Sequence, residues 1–312
     1  MMSEAKINIV DPEVELLTLG PVRMVETAYR ICYQSLDRMT PGSHTLIKKY
    51  LYPEDGDSHQ TPLEHVNVEV LVPGVVAQAV MAFQQGASFT YVAVFSDTEV
   101  GDHRWYMYGN LRAFFTIWTE MSLYRSAYSA EHLAAAQELN RAFASKFPEI
   151  FDYEVIVGNP VMSLSDDAIK INVDLCCPSF RIVTTRDILQ EFVRHRQLSF
   201  NVESTRYCNY KKRGFTFVRP KPYEWAELDH DPKFQLWFHT AVTACENYLD
   251  MLKEGAGPEE ARMLLPGGLK TEFIVTAPQS AWEHFCDLRC SDRAHPQIKL
   301  LADQINKYLF GG

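Results

Sequence analysis

The feature that most constrains this chain is a change of period between residues 168 and 196. "AIKINVDLCCPSFRIV" is strand material, rich in β-branched and apolar residues. Thr184 or Thr185 then stands where an N-cap belongs, and "RDILQEFVRHR" continues with apolar residues at helical spacing. Asp187, three residues after Thr184, sits in capping-box position. The reading is a strand–helix unit that ends on Arg194, His195 and Arg196.

Guanidinium groups gathered this closely repel one another unless anions lie between them. Two local geometries serve such a purpose. A helix continuing past the triplet would place Arg196, Ser199, Glu203 and Arg206 on one face, at spacings of three, four and three. A helix that breaks would leave the triplet at its end, with "QLSFNVES" looping over it. Either way the forked donors of arginine suit phosphate, since one guanidinium can bond two oxygens. A hydroxyl adjusts to a phosphate oxygen, and a carboxylate can hold a ribose hydroxyl or orient a guanidinium. The bland alternative is a solvated lattice of salt bridges.

Composition bears on the choice. A formal charge of −10 and a pI near 5.5 argue against a coat for nucleic acid, so a basic cluster here is a local anion pocket. "RYCNYKKRGFTFVRPK" has the basic and aromatic interleaving of a single-strand binder, but it stands alone in an acidic chain. No apolar run is long enough to span a membrane, and the first residues do not read as a secretory signal. The seven cysteines, an odd number with 176 and 177 adjacent, suit reduced thiols and a cytoplasmic location. Cys286 and Cys290, with His284 and His295 nearby, could hold zinc. The usual spacings of structural zinc sites are absent, so buried thiols and no metal are the expectation.

Elsewhere "VELLTLG" reads as a strand and "PVRMVETAYRICYQS" and "SHTLIKKYLY" as helices. "PEDGDSHQTP" reads as a loop and "LEHVNVEVLVP" as a half-buried strand that includes His65. "GVVAQAVMAFQQGASFTYVAVFSD" is half helical and half β-rich, and "YGN" reads as a turn before a helix. "SAEHLAAAQELNRAFASKFPEIF" is an amphipathic helix capped by Ser129 and ended by Pro148. "DPKFQLWFHTAVTACENYLDMLKEG", "GPEEARMLLP", "SAWEHFCDLRC" and "HPQIKLLADQINKYLF" are further helices. There is no repeat of solenoid period. Helices with a minority of strands give an α/β or α+β class.

"RHRQLSFNVES" also fits Arg-His-Arg, seven residues, then Ser, and so resembles the signature of the flavin-dependent thymidylate synthases. "ELLTLGPVRMVETAYRICYQS" looks like that family's opening helix and "SHQTPLEHVNVEV" its His-containing strand. "STRYCNY" follows the signature as in many members, and "EEARMLLPGGLKTEFIVTA" and "WEHFCDLRCSDRAHPQ" resemble its two C-terminal blocks. The resemblance covers about residues 15 to 72 and 172 to 308 in order, and is weak at about 73–171.

The resemblance implies a single catalytic domain over 1–312, with a mixed sheet and long helices, assembled as a homotetramer with active sites between subunits. It implies bound FAD reduced by NADPH, methylenetetrahydrofolate as carbon donor, and conversion of dUMP to dTMP without a cysteine nucleophile. Carried over by residue, it implies that Arg194, His195 and Arg196 contact FAD and that Arg194 also touches dUMP. Ser204 and Arg206 would hold the nucleotide phosphate, with Glu191 and Glu203 lining the same pocket. Arg262 would bind dUMP, and Arg289 would be the catalytic arginine that favours the ionised uracil ring. His65 would meet flavin and folate, Asn67 the flavin, and His284 and His295 would lie near the flavin.

The pattern departs at Val202, where Glu or Gln is typical, and at Pro278, where Asn is usual. Neither side chain can hydrogen-bond, and proline also removes a backbone donor. Asn110 and Arg112 are candidate replacements. A relative making another 5-substituted pyrimidine nucleotide, and a non-catalytic flavin- or nucleotide-binding protein, therefore stand beside the leading reading.

Overall fold

The computed structural model describes residues 5–40, 44–54, 56, 58–86, 93–96, 104–123, 128–151, 169–173, 177–206, 208, 210–221 and 230–311. In chain order, β1 (Ile7–Val10) and β2 (Glu13–Leu17) lead into α1 (Pro21–Cys32) and α2 (Thr45–Leu51). Then come β3 (Asn67–Pro73), α3 (Gly74–Gly86), β4 (Ala93–Ser96), β5 (Arg104–Asn110), α4 (Leu111–Leu123), α5 (Ala130–Lys146) and β6 (Lys170–Val173). The remainder is β7 (Ser179–Thr185), α6 (Arg186–Phe192), β8 (Ser199–Val202), α7 (Tyr210–Arg213), β9 (Phe215–Val218), α8 (Pro232–Lys253), α9 (Pro258–Ala261), β10 (Lys270–Thr276), α10 (Gln279–Arg289) and α11 (Pro296–Phe310). The mix of helix and strand agrees with the sequence. The strands do not form one mixed sheet: they make two antiparallel four-stranded sheets and a parallel pair, β1 with β9. The chain divides into two compact units.

The first unit comprises Met1–Thr18, Arg30–Met39 and Pro178–Gly312. Its sheet runs β2-β7-β10-β8. Alternation decides its two faces. Val14, Phe180, Ile182, Phe273 and Val275 share a core with Ile188, Leu189 and Phe192 of α6, Trp282 and Phe285 of α10, and Ile298, Leu301 and Ile305 of α11. Each large side chain fully buried there contributes about 1.5–3 kcal/mol. The opposite face carries Glu13, Glu15, Arg181, Lys270 and Glu272, joined by ion pairs. A second core holds Tyr210, Phe215 and Phe217 against Cys245 and Tyr248 of α8. These are the aromatics that suggested base stacking, and burial removes them from any nucleic acid. Gly214 turns the chain between α7 and β9 at φ +79°, in the left-handed region that favours glycine.

The second unit comprises Leu19–Tyr29 and Thr40–Cys177. Its sheet runs β4-β5-β3-β6, with every neighbour antiparallel. Val68, Val70 and Val72 alternate into the interior. Phe114 of α4 and Phe143 of α5 pack with ring centroids 4.7 Å apart. Ser129 caps α5 as read, accepting from the amide of His132 at 3.1 Å. Two local expectations fail here. His65 lies in a 3-10 turn, Thr61–His65, because Pro62 fixes a helical φ just before β3 begins. "YGN" belongs to β5, since its pairing with β3 runs unbroken to Asn110, whose side chain caps α4 by accepting from Ala113 N at 2.9 Å.

No helix among the described residues is long and apolar enough to cross a membrane. Nor is any group of three or more His, Cys, Asp and Glu among them arranged to hold a metal. Burial pushes the Cys286 thiol up to about 12, so it stays protonated; Cys176 lies outside the described residues.

Candidate active site

The strand–helix unit forms, and its helix breaks where the charges begin. Thr185, not Thr184, is the N-cap of α6, with Ile188 N donating to its hydroxyl at 3.4 Å. Asp187 is thus two residues on rather than three. It makes no capping box and accepts from Ile188 N at 2.8 Å and from the Thr185 hydroxyl. After Phe192 the chain tightens, with His195 N bonded to Phe192 O at 3.0 Å and Leu198 N to His195 O at 3.1 Å. This turn sends His195 and Leu198 inward and leaves Arg194 and Arg196 exposed. The shared helical face of Arg196, Ser199, Glu203 and Arg206 is therefore not realised. The stretch expected to loop over the triplet instead enters β8, paired to β10.

Arg289, the last residue of α10, closes over this turn. Its Nε donates to His195 Nε2 at 3.0 Å, Nη1 to Glu191 Oε2 at 2.5 Å and Nη2 to the Glu191 carbonyl at 3.2 Å. A helix C-terminus favours the cation. Because Nε2 accepts, the His195 proton belongs on Nδ1. Burial, then the charges of Arg289 and His284, push this imidazole down to about 4, so it is neutral at pH 7. Phe285 meets it edge to face at 4.9 Å, and the exposed His284 ring lies 6.2 Å away. The Arg289 fork has five N–H donors, and these bonds use three. Two remain for an incoming acceptor, in a place where no other cation among the described residues pairs with Glu191.

Four residues of β8, about 13 Å of extended chain, separate this cluster from a second. Ser204 is anchored by its amide to Cys32 O at 3.1 Å. Arg262 Nη1 donates to the Thr205 hydroxyl at 3.2 Å, and its Nε to Glu259 O at 3.2 Å. Arg206 pairs with Glu259 Oε1 at 2.7 Å. The structure thus gathers Ser204, Arg206 and Arg262, which the sequence suggested separately. Thr205 and Glu259, which tie them together, were missed; their only signal is adjacency to named residues. The Arg206–Glu259 pair is solvent-exposed, so it holds by about 1 kcal/mol at most and a phosphate can displace it.

Glu203 turns away to the charged face of the sheet. It accepts from Lys270 Nζ at 2.7 Å and from Gln34, and Lys270 also reaches Glu272 at 2.9 Å. These groups, with Tyr210 and Arg213, line a cavity of about 310 Å³. Burial raises the Glu203 carboxyl above its ordinary range against the pull of Lys270. Sequence reasoning passed over Lys270 and Glu272, although their i, i+2 spacing on a strand was the available signal.

The other named residues have local roles of their own. His295 is the N-cap of α11, its Nδ1 accepting from Gln297 N at 3.2 Å. His65 and Asn67 belong to the second unit. Burial pushes His65 down to about 3. Val202 packs on the apolar core beside α10, and Pro278 is the exposed N-cap residue of α10. Arg112 is held by Glu64 and Asn110 by its helix cap.

Similarity to known proteins falls on the same stretch. The chain is similar to the flavin-dependent thymidylate synthase of Geobacter sulfurreducens, 32% identical over 128 residues, 41% of this chain and 53% of that protein. The protein of that name from Pyrobaculum aerophilum is 34% identical over 121 residues, 38% of this chain and 44% of its own. That of Haloarcula marismortui is 23% identical over 141 residues, 39% and 57%. The chain spans about half the length of the curated relatives it matches. Residues 174–310, which carry Glu191, the Arg-His-Arg turn, Ser204, Arg206, Arg262 and Arg289, match the family model described as thymidylate synthase complementing protein.

Proposed function

We propose that the chain is a flavin-dependent thymidylate synthase that converts dUMP to dTMP, with FAD as its cofactor, NADPH as reductant and methylenetetrahydrofolate as carbon donor. The observation that carries this reading is the Arg289 fork held by neutral His195 and by Glu191, beside two exposed arginines. Arg194 and Arg196 have no ion-pair partner among the described residues, so the turn fits an anionic group such as the FAD pyrophosphate. Bound there, the flavin would supply hydride.

The chain's own residues then divide the substrate. Arg206, Arg262 and Ser204 bind the nucleotide phosphate, Arg206 exchanging Glu259 for it. Arg289 presents its two remaining N–H groups to the uracil ring and stabilises the negative charge that makes C5 nucleophilic. His195 stays neutral and accepts from Arg289, which keeps that guanidinium aimed without adding a competing charge. Glu191 fixes its other edge. His65 and Asn67 are assigned to flavin and folate, and His284 and His295 to the flavin rim, by resemblance alone. A homotetramer in the cytoplasm completes the reading.

Purified protein supplied with FAD should show an oxidised-flavin spectrum that bleaches with NADPH. The nucleotide product, by mass, should be dTMP. A hydroxymethyl product would assign the related reaction, which Val202 and Pro278 keep open. Flavin that binds but never turns over would assign a non-catalytic relative. Sedimentation tests the tetramer.

A further inference from the structure

The two units, each taken by itself, repeat one plan. In the first, β7 pairs with β10 over seven residues, Ser179–Thr185 against Thr276–Lys270. In the second, β3 pairs with β5 over seven, Asn67–Pro73 against Asn110–Arg104. Each first strand runs directly into a helix, α6 or α3, and then to a four-residue strand, β8 or β4, which flanks the second member of the ladder. Each ladder is followed by two helices, α10 and α11 or α4 and α5. The sheet orders β2-β7-β10-β8 and β6-β3-β5-β4 coincide, all antiparallel. Two differences stand beside this: the outer strand comes from before the ladder in one unit and from after it in the other, and the first unit carries α7, β9, α8 and α9 between β8 and β10, where no described element lies between β4 and β5.

Burial repeats at the core-facing positions. Phe180, Ile182 and Thr184 of β7 correspond to Val68, Val70 and Val72 of β3, all fully buried. From the strand–helix junction onward, Ile188, Leu189, Phe192 and His195 correspond to Val76, Ala77, Val80 and Phe83, again all buried. A shared register over a seven-residue ladder, a junction and a helix is more than the alternation that any amphipathic pair of elements shows. The chemistry differs at the helix ends. Glu191 corresponds to Ala79, Arg194 to Ala82, His195 to Phe83 and Arg196 to Gln84, and α4 ends on Leu123 where α10 ends on Arg289. His195 packs on Phe285; Phe83 packs on Tyr128 at 4.0 Å.

We infer that the chain carries one fold twice, and that the second copy has exchanged the anion-binding residues at its helix ends for uncharged ones, so that each chain binds one flavin phosphate set, on the first unit. The ligand in this statement rests on the function proposed above; the duplication does not. Titration of FAD into the full chain should saturate at one per chain and be abolished by Arg194→Ala with Arg196→Ala. Two per chain, or binding that survives that double substitution, overturns the assignment of sites.

The ligand-independent arm is a graft. Residues 186–195 are replaced by the sequence of 74–83, and in a control by that of 75–84. The in-register graft should melt cooperatively and well above the control. Equal melting, or a lower melt for the in-register graft, overturns the duplication. If the wild-type chain binds no FAD while the grafts behave as stated, the flavin reading falls and the duplicated fold stands.

Discussion

Replacing Lys270 with methionine tests whether the charged face of the first sheet is a cooperating network or a decoration. Lys270 Nζ lies 2.7 Å from Glu203 and 2.9 Å from Glu272, and the Glu203 side chain is 1% exposed. Glu272 keeps Arg181 at 2.5 Å after the substitution, whereas Glu203 keeps, among the described residues, only the Gln34 amide. The cost therefore concentrates on one buried carboxylate. Removing one partner of a buried pair costs about 3–5 kcal/mol, and the surviving amide places this case near the lower end. Against a total stability of about 5–15 kcal/mol, that is a large loss. Urea unfolding followed by circular dichroism should show it as a lower midpoint at unchanged slope.

The pH dependence has a definite sign. Burial already raises Glu203 above its ordinary 4.5, and loss of Lys270 raises it further. A carboxyl raised in the folded state penalises folding above that folded value, and the penalty lifts as pH falls through it. For Glu272, burial alone would raise the carboxyl, but Lys270 and Arg181 hold it below 4.5, so in the native chain it stabilises at neutral pH and that share is lost in acid. The Glu203 penalty therefore makes the deficit of Lys270→Met shrink as pH falls from 7.5 toward 5, whereas the Glu272 share changes only below 4.5. Adding Glu203→Gln should restore much of the lost stability at pH 7.5. A loss under about 1 kcal/mol, or no recovery in the double variant, would show that water screens the site and would refute the network.

Three further outcomes can be measured. Arg289→Ala should lower kcat by about a hundredfold or more while the protein still binds FAD, and unchanged turnover would remove its assigned role. His195, held near 4 by burial and by Arg289, contributes stability that is present above its unfolded value of 6.5 and lost as pH falls from 6.5 through 4. That share is about 1–2 kcal/mol allowing for solvent at the ring, and His195→Gln should flatten the melting temperature over that window; an identical pH profile would contradict it. Gly214→Ala forces a Cβ to 2.8 Å from the Lys6 carbonyl at φ +79°, and should cost about 1–3 kcal/mol; an unshifted melting curve would mean the turn relaxes freely.

Much of the candidate anion site could be read in the sequence because its residues are close in the chain and their types are unusual for an acidic protein. Thr185, Arg194, His195, Arg196, Ser204 and Arg206 lie within one strand–helix–strand passage. Period alone located the helix. What period could not supply was where that helix stops, because Val193 and Leu198 continue a helical pattern while the backbone has already turned. The link from Arg289 to His195 and Glu191 spans more than ninety positions and depends on how α10 crosses the end of α6. No local spacing encodes it. Within the ion network, the i, i+2 spacing of Lys270 and Glu272 put both on one strand face, but their link to Glu203, more than sixty positions earlier, had no local signal.

The second unit was harder still, and for a physical reason. A fold is held by which positions are buried, and burial tolerates exchange among Phe, Ile, Leu, Val and Ala provided the register is kept. Ile188, Leu189 and Phe192 against Val76, Ala77 and Val80 keep that register while sharing no identity. A site is held by residue types, and those are what changed: the buried His195 became Phe83 without altering the pattern of inside and outside. Comparison by residue identity therefore follows the site and loses the fold: the family model's match begins at residue 174, near where the chain passes from the second unit to the first. The ladder registers and the strand order, which depend on burial alone, carry the relation past that point.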